Sequence, residues 1–203
     1  MEIKEYIKES LRKLDTLGIP TSHMEDKIMN AIMSTPPDML QDMAIENILG
    51  LILDYVGSPI YDVEINEYKM ESEQVYSFDV EVPYPDIMYT VFLNFVNKLT
   101  GEDIVISDIT EDTDHVNYQE GNRTKVVHFS VNGKQYQYEA EVHYDWFDMR
   151  FIHEMNQILQ EYNVAKSLYV TSDSWQNCIL FYNTELWAKR YQKAFPESKL
   201  EKA

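Results

Sequence analysis

The sequence predicts an α+β protein: an N-terminal helical segment to about residue 57, then two related ββαβ units in mostly antiparallel sheet, the second extended to ββαββα. Three observations predict it. Apolar residues recur every three or four positions as far as Val56, then alternate after Pro59. Asn132-Gly133, the favoured pair for a two-residue hairpin turn, separates two alternating runs, Val126 to Val131 and Gln135 to Tyr144. Residues 76–84 (YSFDVEVPY) lie over residues 136–144 (YQYEAEVHY) at an offset of 60, and Ile87, Val91, Phe92, Phe95 and Leu99 then lie over Phe147, Phe151, Ile152, Met155 and Leu159. These signals divide the chain into a helical segment 1–57, a first acidic ββαβ unit 58–122 and a second ββαββα unit 123–203. Grouping 58–203 as one continuous domain is the alternative.

Ile3, Ile7, Leu11, Leu14 and Leu17 predict a first helix, stopped by Gly18 and Pro20. Ser22 and Glu25 have capping-box spacing ahead of Met24, Ile28 and Ile32. Thr35-Pro36-Pro37 opens a third helix expected to run unbroken to Val56. Val63 and Ile65 mark a strand, and Tyr76, Phe78, Val80 and Val82 another, with Ser77, Asp79 and Glu81 on its polar side. Pro85-Asp86 opens a helix that ends near Leu99 before Gly101, and Ile104 and Ile106 mark a short strand. Asp108 to Gly121 is expected to be a loop.

The hairpin turn fixes a register in which Phe129 faces Tyr136 and Val127 faces Tyr138. His128, Ser130, Gln135, Gln137, Glu139, Glu141 and His143 then form its polar face. Asp145 and Asp148 suit the start of the next helix, whose buried stripe runs from Phe147 to Tyr162. Strands near 167–171 and 177–182 follow, and Thr184 caps a last helix carrying Trp187, Tyr191, Ala194 and Phe195. Lys199 to Ala203 is expected to fray. The ββαββα order and the acidic charge resemble secretion-chaperone-like folds, a likeness of architecture only.

The formal net charge is −18, and residues 38–120 hold 19 acids against two bases, Lys69 and Lys98. Such a field repels phosphate backbones and anionic membrane surfaces, so neither nucleic acid nor membrane is the expected partner. No apolar run reaches the ~18 residues of a membrane span. The start has early acids and no apolar core of a signal peptide, and there is one cysteine, so the expected location is cytoplasmic.

Chemistry-bearing motifs are few. His143, Asp145 and His153 are the best set for a metal-assisted hydrolase, but without His-Glu-x-x-His or His-x-His spacing. Glu111 to His115 lacks the glycine and glutamate of a calcium loop. Cys178 alternates with Leu180 and Tyr182 and is expected inside. There is no phosphate-cradling glycine motif, and no cofactor or metal is expected.

The leading expectation is a non-catalytic binder of a basic protein, an immunity or antitoxin-like protein in its concrete form. Its surface would be the polar sheet face with Asp62, Glu64, Asp79, Glu81, Glu139 and Glu141. The hydrolase around His143, Asp145 and His153 is one alternative. A chaperone or scaffold gripping a partner through the Met-rich helices of residues 24–56 is another. Those helices could equally pack the core or form a homodimer contact.

Overall fold

The computed structural model of the chain describes residues 2–63, 67–114, 116–119, 124–173 and 175–203, with the backbone alone at 37, 41, 42, 62 and 67. Its helices are α1 (Ile3–Thr16), α2 (Glu25–Met33), α3 (Pro37–Asp42), α4 (Ile45–Gly57), α5 (Met88–Thr100), α6 (Arg150–Glu161) and α7 (Glu185–Ala194). Its strands are β1 (Ile60–Asp62), β2 (Glu67–Lys69), β3 (Val75–Asp79), β4 (Ile106–Asp112), β5 (Thr124–Val131), β6 (Lys134–Glu141), β7 (Lys166–Ser172), β8 (Asn177–Thr184) and β9 (Glu201–Lys202). The class is α+β, with helices ahead of the strands and antiparallel pairing in the β1–β2, β4–β5, β5–β6 and β7–β9 ladders. Among the described residues no helix is long and apolar enough to cross a membrane.

The chain forms two compact units, Met1–Phe78 with Tyr169–Lys202, and Asp79–Leu168 with Ala203. In the first unit the apolar stripes of α1, α2 and α4 meet Val75, Tyr169, Ile179, Phe181, Trp187, Tyr191 and Phe195 in one core. The indole N–H of Trp187 donates to Leu17 O at 2.8 Å, tying α7 to the end of α1. Gly50 lets α4 lie on the β7–β8 turn, since a Cβ there would stand 2.4 Å from Asp173 Cα. The four-stranded sheet of this unit has the order β3-β8-β7-β9.

Several elements differ from the sequence expectation. The third helix is broken: Met43 and Ala44 take extended ψ values of 128° and 151°. The break lets α3 bury Leu40 while α4 is re-aimed to bury Ile48, Leu49, Ile52, Leu53 and Val56. The capping box at Ser22 does not form; Ser22–Met24 is a 3-10 turn, and Thr21 donates its hydroxyl to Leu11 O at 2.9 Å. Of the strand expected around Val63 and Ile65, Asp62 ends β1 and Val63 lies in a turn, while residues 64–66 lie outside the described residues. Ser77, expected on a polar side, is 1% exposed because its hydroxyl bonds Asp54 Oδ1 at 2.6 Å. The C-terminal end pairs as β9 with β7 instead of fraying.

The second unit is built on the sheet β4-β5-β6. Phe129 is opposite Tyr136 and Val127 opposite Tyr138, the register the turn predicts. Asn132 and Gly133 take φ of 50° and 81°, the positive pair that a type I′ turn requires. The inward face packs an aromatic cluster of Phe92, Phe129, Phe147 and Phe151. Strand β4 runs to Asp112 where a loop was expected from Asp108; a bulge between Ser107 and Thr110, with Asp108 at φ 52°, re-aims it.

The 60-residue similarity does not build two equivalent units. β3, at the start of one aligned stretch, has β8 as its neighbour, whereas β6, in the other, pairs with β5. The strands after the two aligned helices also differ, β4 joining β5 and β7 lying between β8 and β9. Alternation followed by helical spacing is what any strand-turn-helix shows; strand partners are chosen by tertiary packing.

Candidate functional site

Charge in the second unit is one-sided. Residues 79–168 hold 16 acids and 6 bases, a net of −10. Four of those bases are held in ion pairs inside the unit. Lys125 pairs with Glu111, Lys134 with Glu161 at 2.7 Å, and Lys166 with Asp103 at 2.8 Å. Arg150 meets Glu141 at 3.0 Å and Asp148 at 2.7 Å.

Strand β6 is an edge strand, and its alternation turns Glu139 and Glu141 to solvent opposite Val126 and Thr124. With the first turn of α6 they line an open groove whose walls are Thr124, Tyr138, Glu139, Glu141, Arg150, His153 and Glu154. Asp148 ties three of these lining residues together. It accepts from Tyr138 Oη at 3.0 Å, Glu141 N at 3.1 Å and Arg150 Nε at 2.9 Å. Burial opposes its charge, but the bonds from Arg150, Glu141 and Tyr138 outweigh that and hold its carboxyl below the ordinary aspartate range. Glu141 is thus engaged with Arg150, while Glu139 forms no ion pair with a described residue.

Asp79 and Glu81 stand apart from the groove residues. Both are exposed, and Asp79 Oδ1 accepts from Glu81 N at 2.9 Å. The chain beyond them pairs antiparallel with residues 145–147. Val82 N donates to Asp145 O at 2.9 Å, Phe147 N to Val80 O at 2.8 Å, and Glu81 is bridged to Trp146. The site expectation therefore divides: Glu139 and Glu141 lie on one strand edge, while Asp79 ends β3 and Glu81 lies in the short ladder. Asp62 lies in β1 of the other unit, and Glu64 lies outside the described residues.

The hydrolase set does not converge on the groove. His153 lines it, while exposed His143 closes a turn with Trp146, and Asp145 gives its carbonyl to Val82. Among the described residues no group of three or more His, Cys, Asp or Glu is placed to hold a metal. Cys178 is 4% exposed, and burial pushes its thiol up to about 12, so it stays protonated. Of the Met-rich helices, Met24 is in the core and Met29, Met33 and Met43 pack against it. Met39, at 57%, is the exception.

Two features escaped the sequence reading. The side chains of Lys125 and Glu111 are 1% and 2% exposed. Lys125 Nζ also donates to Pro85 O at 2.5 Å and lies 5.4 Å from the Tyr89 ring centroid and 5.8 Å from that of Tyr118. Burial holds its ammonium below the ordinary lysine range, with Glu111 acting against the shift. The signal was parity: Lys125 shares the face of Val127, Phe129 and Val131. The other feature is a set of exposed rings beside the short ladder, Tyr84 at 67%, Tyr144 at 50% and Trp146 at 40%.

Compared with protein-family models, curated proteins and solved structures, the chain matches none.

Proposed function

We propose that this chain is a non-catalytic, cytoplasmic binder of a basic protein, in its concrete form an immunity or antitoxin-like protein that masks a cationic surface. The observation that carries this reading is the charge balance of residues 79–168. Those residues keep a net charge of −10, and Asp79, Glu81, Glu139 and Glu141 are exposed. The outward field is therefore negative, and a protein of opposite charge is drawn in from solution. Electrostatic complementarity of this kind acts mainly on the association rate and on partner choice.

The test begins with native co-purification, followed by association kinetics of the purified pair. Reversal of Asp79 and Glu139 to lysine slows association and leaves the melting temperature within a few degrees. Unchanged kinetics in the reversed variant would make the acids a solubility coat.

A further inference from the structure

We infer that the free edge of β6 takes an extended basic segment of a partner protein as an added strand, with Gln135, Gln137 and Glu139 as the pairing residues. This rests on the basic-partner reading and deepens it by naming the form of the segment that is bound.

The edge follows from the turn. Asn132-Gly133 leaves Val131 and Lys134 as the closing pair of a two-residue hairpin, a pair that exchanges both of its main-chain hydrogen bonds. Bonded and non-bonded pairs then alternate, so Lys134, Tyr136, Tyr138 and Ala140 direct their N–H and C=O groups to β5. Those of Gln135, Gln137, Glu139 and Glu141 point away from it. Glu141 fits this parity: its N–H donates to Asp148 Oδ2 at 3.1 Å and so closes that end of the edge. Gln135, Gln137 and Glu139 are exposed, and no described strand lies beside them.

Sheet edges are ordinarily blunted by a bulge, a proline, a short length or a cover. At the opposite edge of this sheet, β4 carries the bulge between Ser107 and Thr110. In the other sheet, β9 is two residues long and β3 is buried through Ser77. β6 has none of these devices over its eight residues: its register with β5 is unbroken, and it contains no proline. Its one lysine, Lys134, sits at the turn and pairs with Glu161. An open regular edge is what an extended peptide joins, the main chain giving affinity and alternate side chains giving selectivity.

Charge selects the occupant. The groove at this edge has Tyr138, Glu139 and Glu141 on the strand side and Arg150, His153 and Glu154 on the α6 side. Arg150 is taken up by Glu141 and Asp148. Glu139 and Glu154 form no ion pair with a described residue. Side chains of an added strand alternate between the two faces of the sheet. Those opposite Glu139 share its face. Their neighbours lie on the face of Tyr138, whose ring meets Phe151 of α6 at 4.6 Å, and there they approach Glu154. A segment with lysine or arginine at adjacent positions therefore meets an acid on each face. A second copy of this chain would bring acids to acids, against the net charge of −10 on residues 79–168.

The test uses three capped peptides as long as β6: one of valine and paired lysines, the same peptide with every backbone N–H methylated, and a version with glutamine for lysine. Each is titrated into the full chain, and amide hydrogen exchange is followed by NMR. The expected result is that the lysine peptide slows exchange at Gln135, Gln137 and Glu139 at least about tenfold. The methylated peptide keeps the charge and protects none of them. The glutamine peptide, and the lysine peptide on Glu139→Gln with Glu154→Gln, bind about tenfold more weakly. Equal binding of the methylated peptide overturns strand addition and leaves the basic-partner reading standing. Equal binding of the glutamine peptide overturns the basic assignment. Protection of the same amides that rises with protein concentration in the absence of peptide gives the edge to a second copy and overturns the proposal. No protection by any peptide overturns the edge as a site, while the salt dependence of association with the native partner still decides the parent reading.

Discussion

Glu111 and Lys125 form an ion pair across adjacent strands β4 and β5, their side chains 2% and 1% exposed, with Lys125 Nζ over the ring of Tyr89. One acid of the strongly acidic middle segment is thus an internal tie. Two charges removed from water are tolerated only while both are present. Glu111→Ala leaves a buried ammonium unpaired and is expected to cost about 3–5 kcal/mol. Glu111→Leu with Lys125→Met should be far milder or neutral. Urea unfolding of the three proteins measures both.

Asp148 gives the fold a defined acid limb. Its carboxyl is held below the ordinary range, so the folded state favours its ionised form. That contribution is complete above its unfolded value, about pH 4. It is lost as pH falls through the lower folded value. Asp148→Asn is expected to cost about 1–3 kcal/mol at neutral pH and to flatten the fall in stability below about pH 4. Unfolding free energy measured across that range checks the sign.

Gly50 sets helix propensity against packing. In an open helix Gly→Ala gains about 1 kcal/mol. Here the new Cβ meets Asp173 Cα at 2.4 Å and Cβ at 2.9 Å, in a turn whose carboxylate binds Trp175 N and Asn177 N. Gly50→Ala should therefore destabilise, by about 1–3 kcal/mol as overpacking does. A raised melting temperature would contradict the close approach.

Tyr144→Gly should do the reverse. Relief of the positive φ, worth about 1–2 kcal/mol, outweighs the roughly 0.5–1 kcal/mol that glycine's freedom in the unfolded chain costs, so the variant is expected to be slightly more stable. Thermal melts of the variant check the sign.

The hairpin was legible in the sequence because Asn132-Gly133 admits one favoured turn, and one turn fixes every pair on both strands. The stripe of α6 and the Thr184 cap, which accepts from Trp187 N at 3.3 Å, were legible for the same local reason. Features set by distant partners were not. Nothing near Met43 and Ala44 announces a helix break, because the break serves the burial of α4. Acids at 108 to 112 read as a loop because the base that neutralises Glu111 is at position 125. Exposed Glu139 and Glu141 were legible from parity, but the engagement of Glu141 by Arg150 depends on where α6 starts. The ladder that places Glu81 beside Trp146 joins segments with no pairing signal of their own.

The most direct test of the central claim is the association rate between this chain and the basic protein that co-purifies with it, measured by stopped flow from about 20 to 500 mM salt, over which the screening length shrinks severalfold. The account predicts that association slows at least about tenfold while dissociation changes much less. An association rate that stays constant across that range would contradict it.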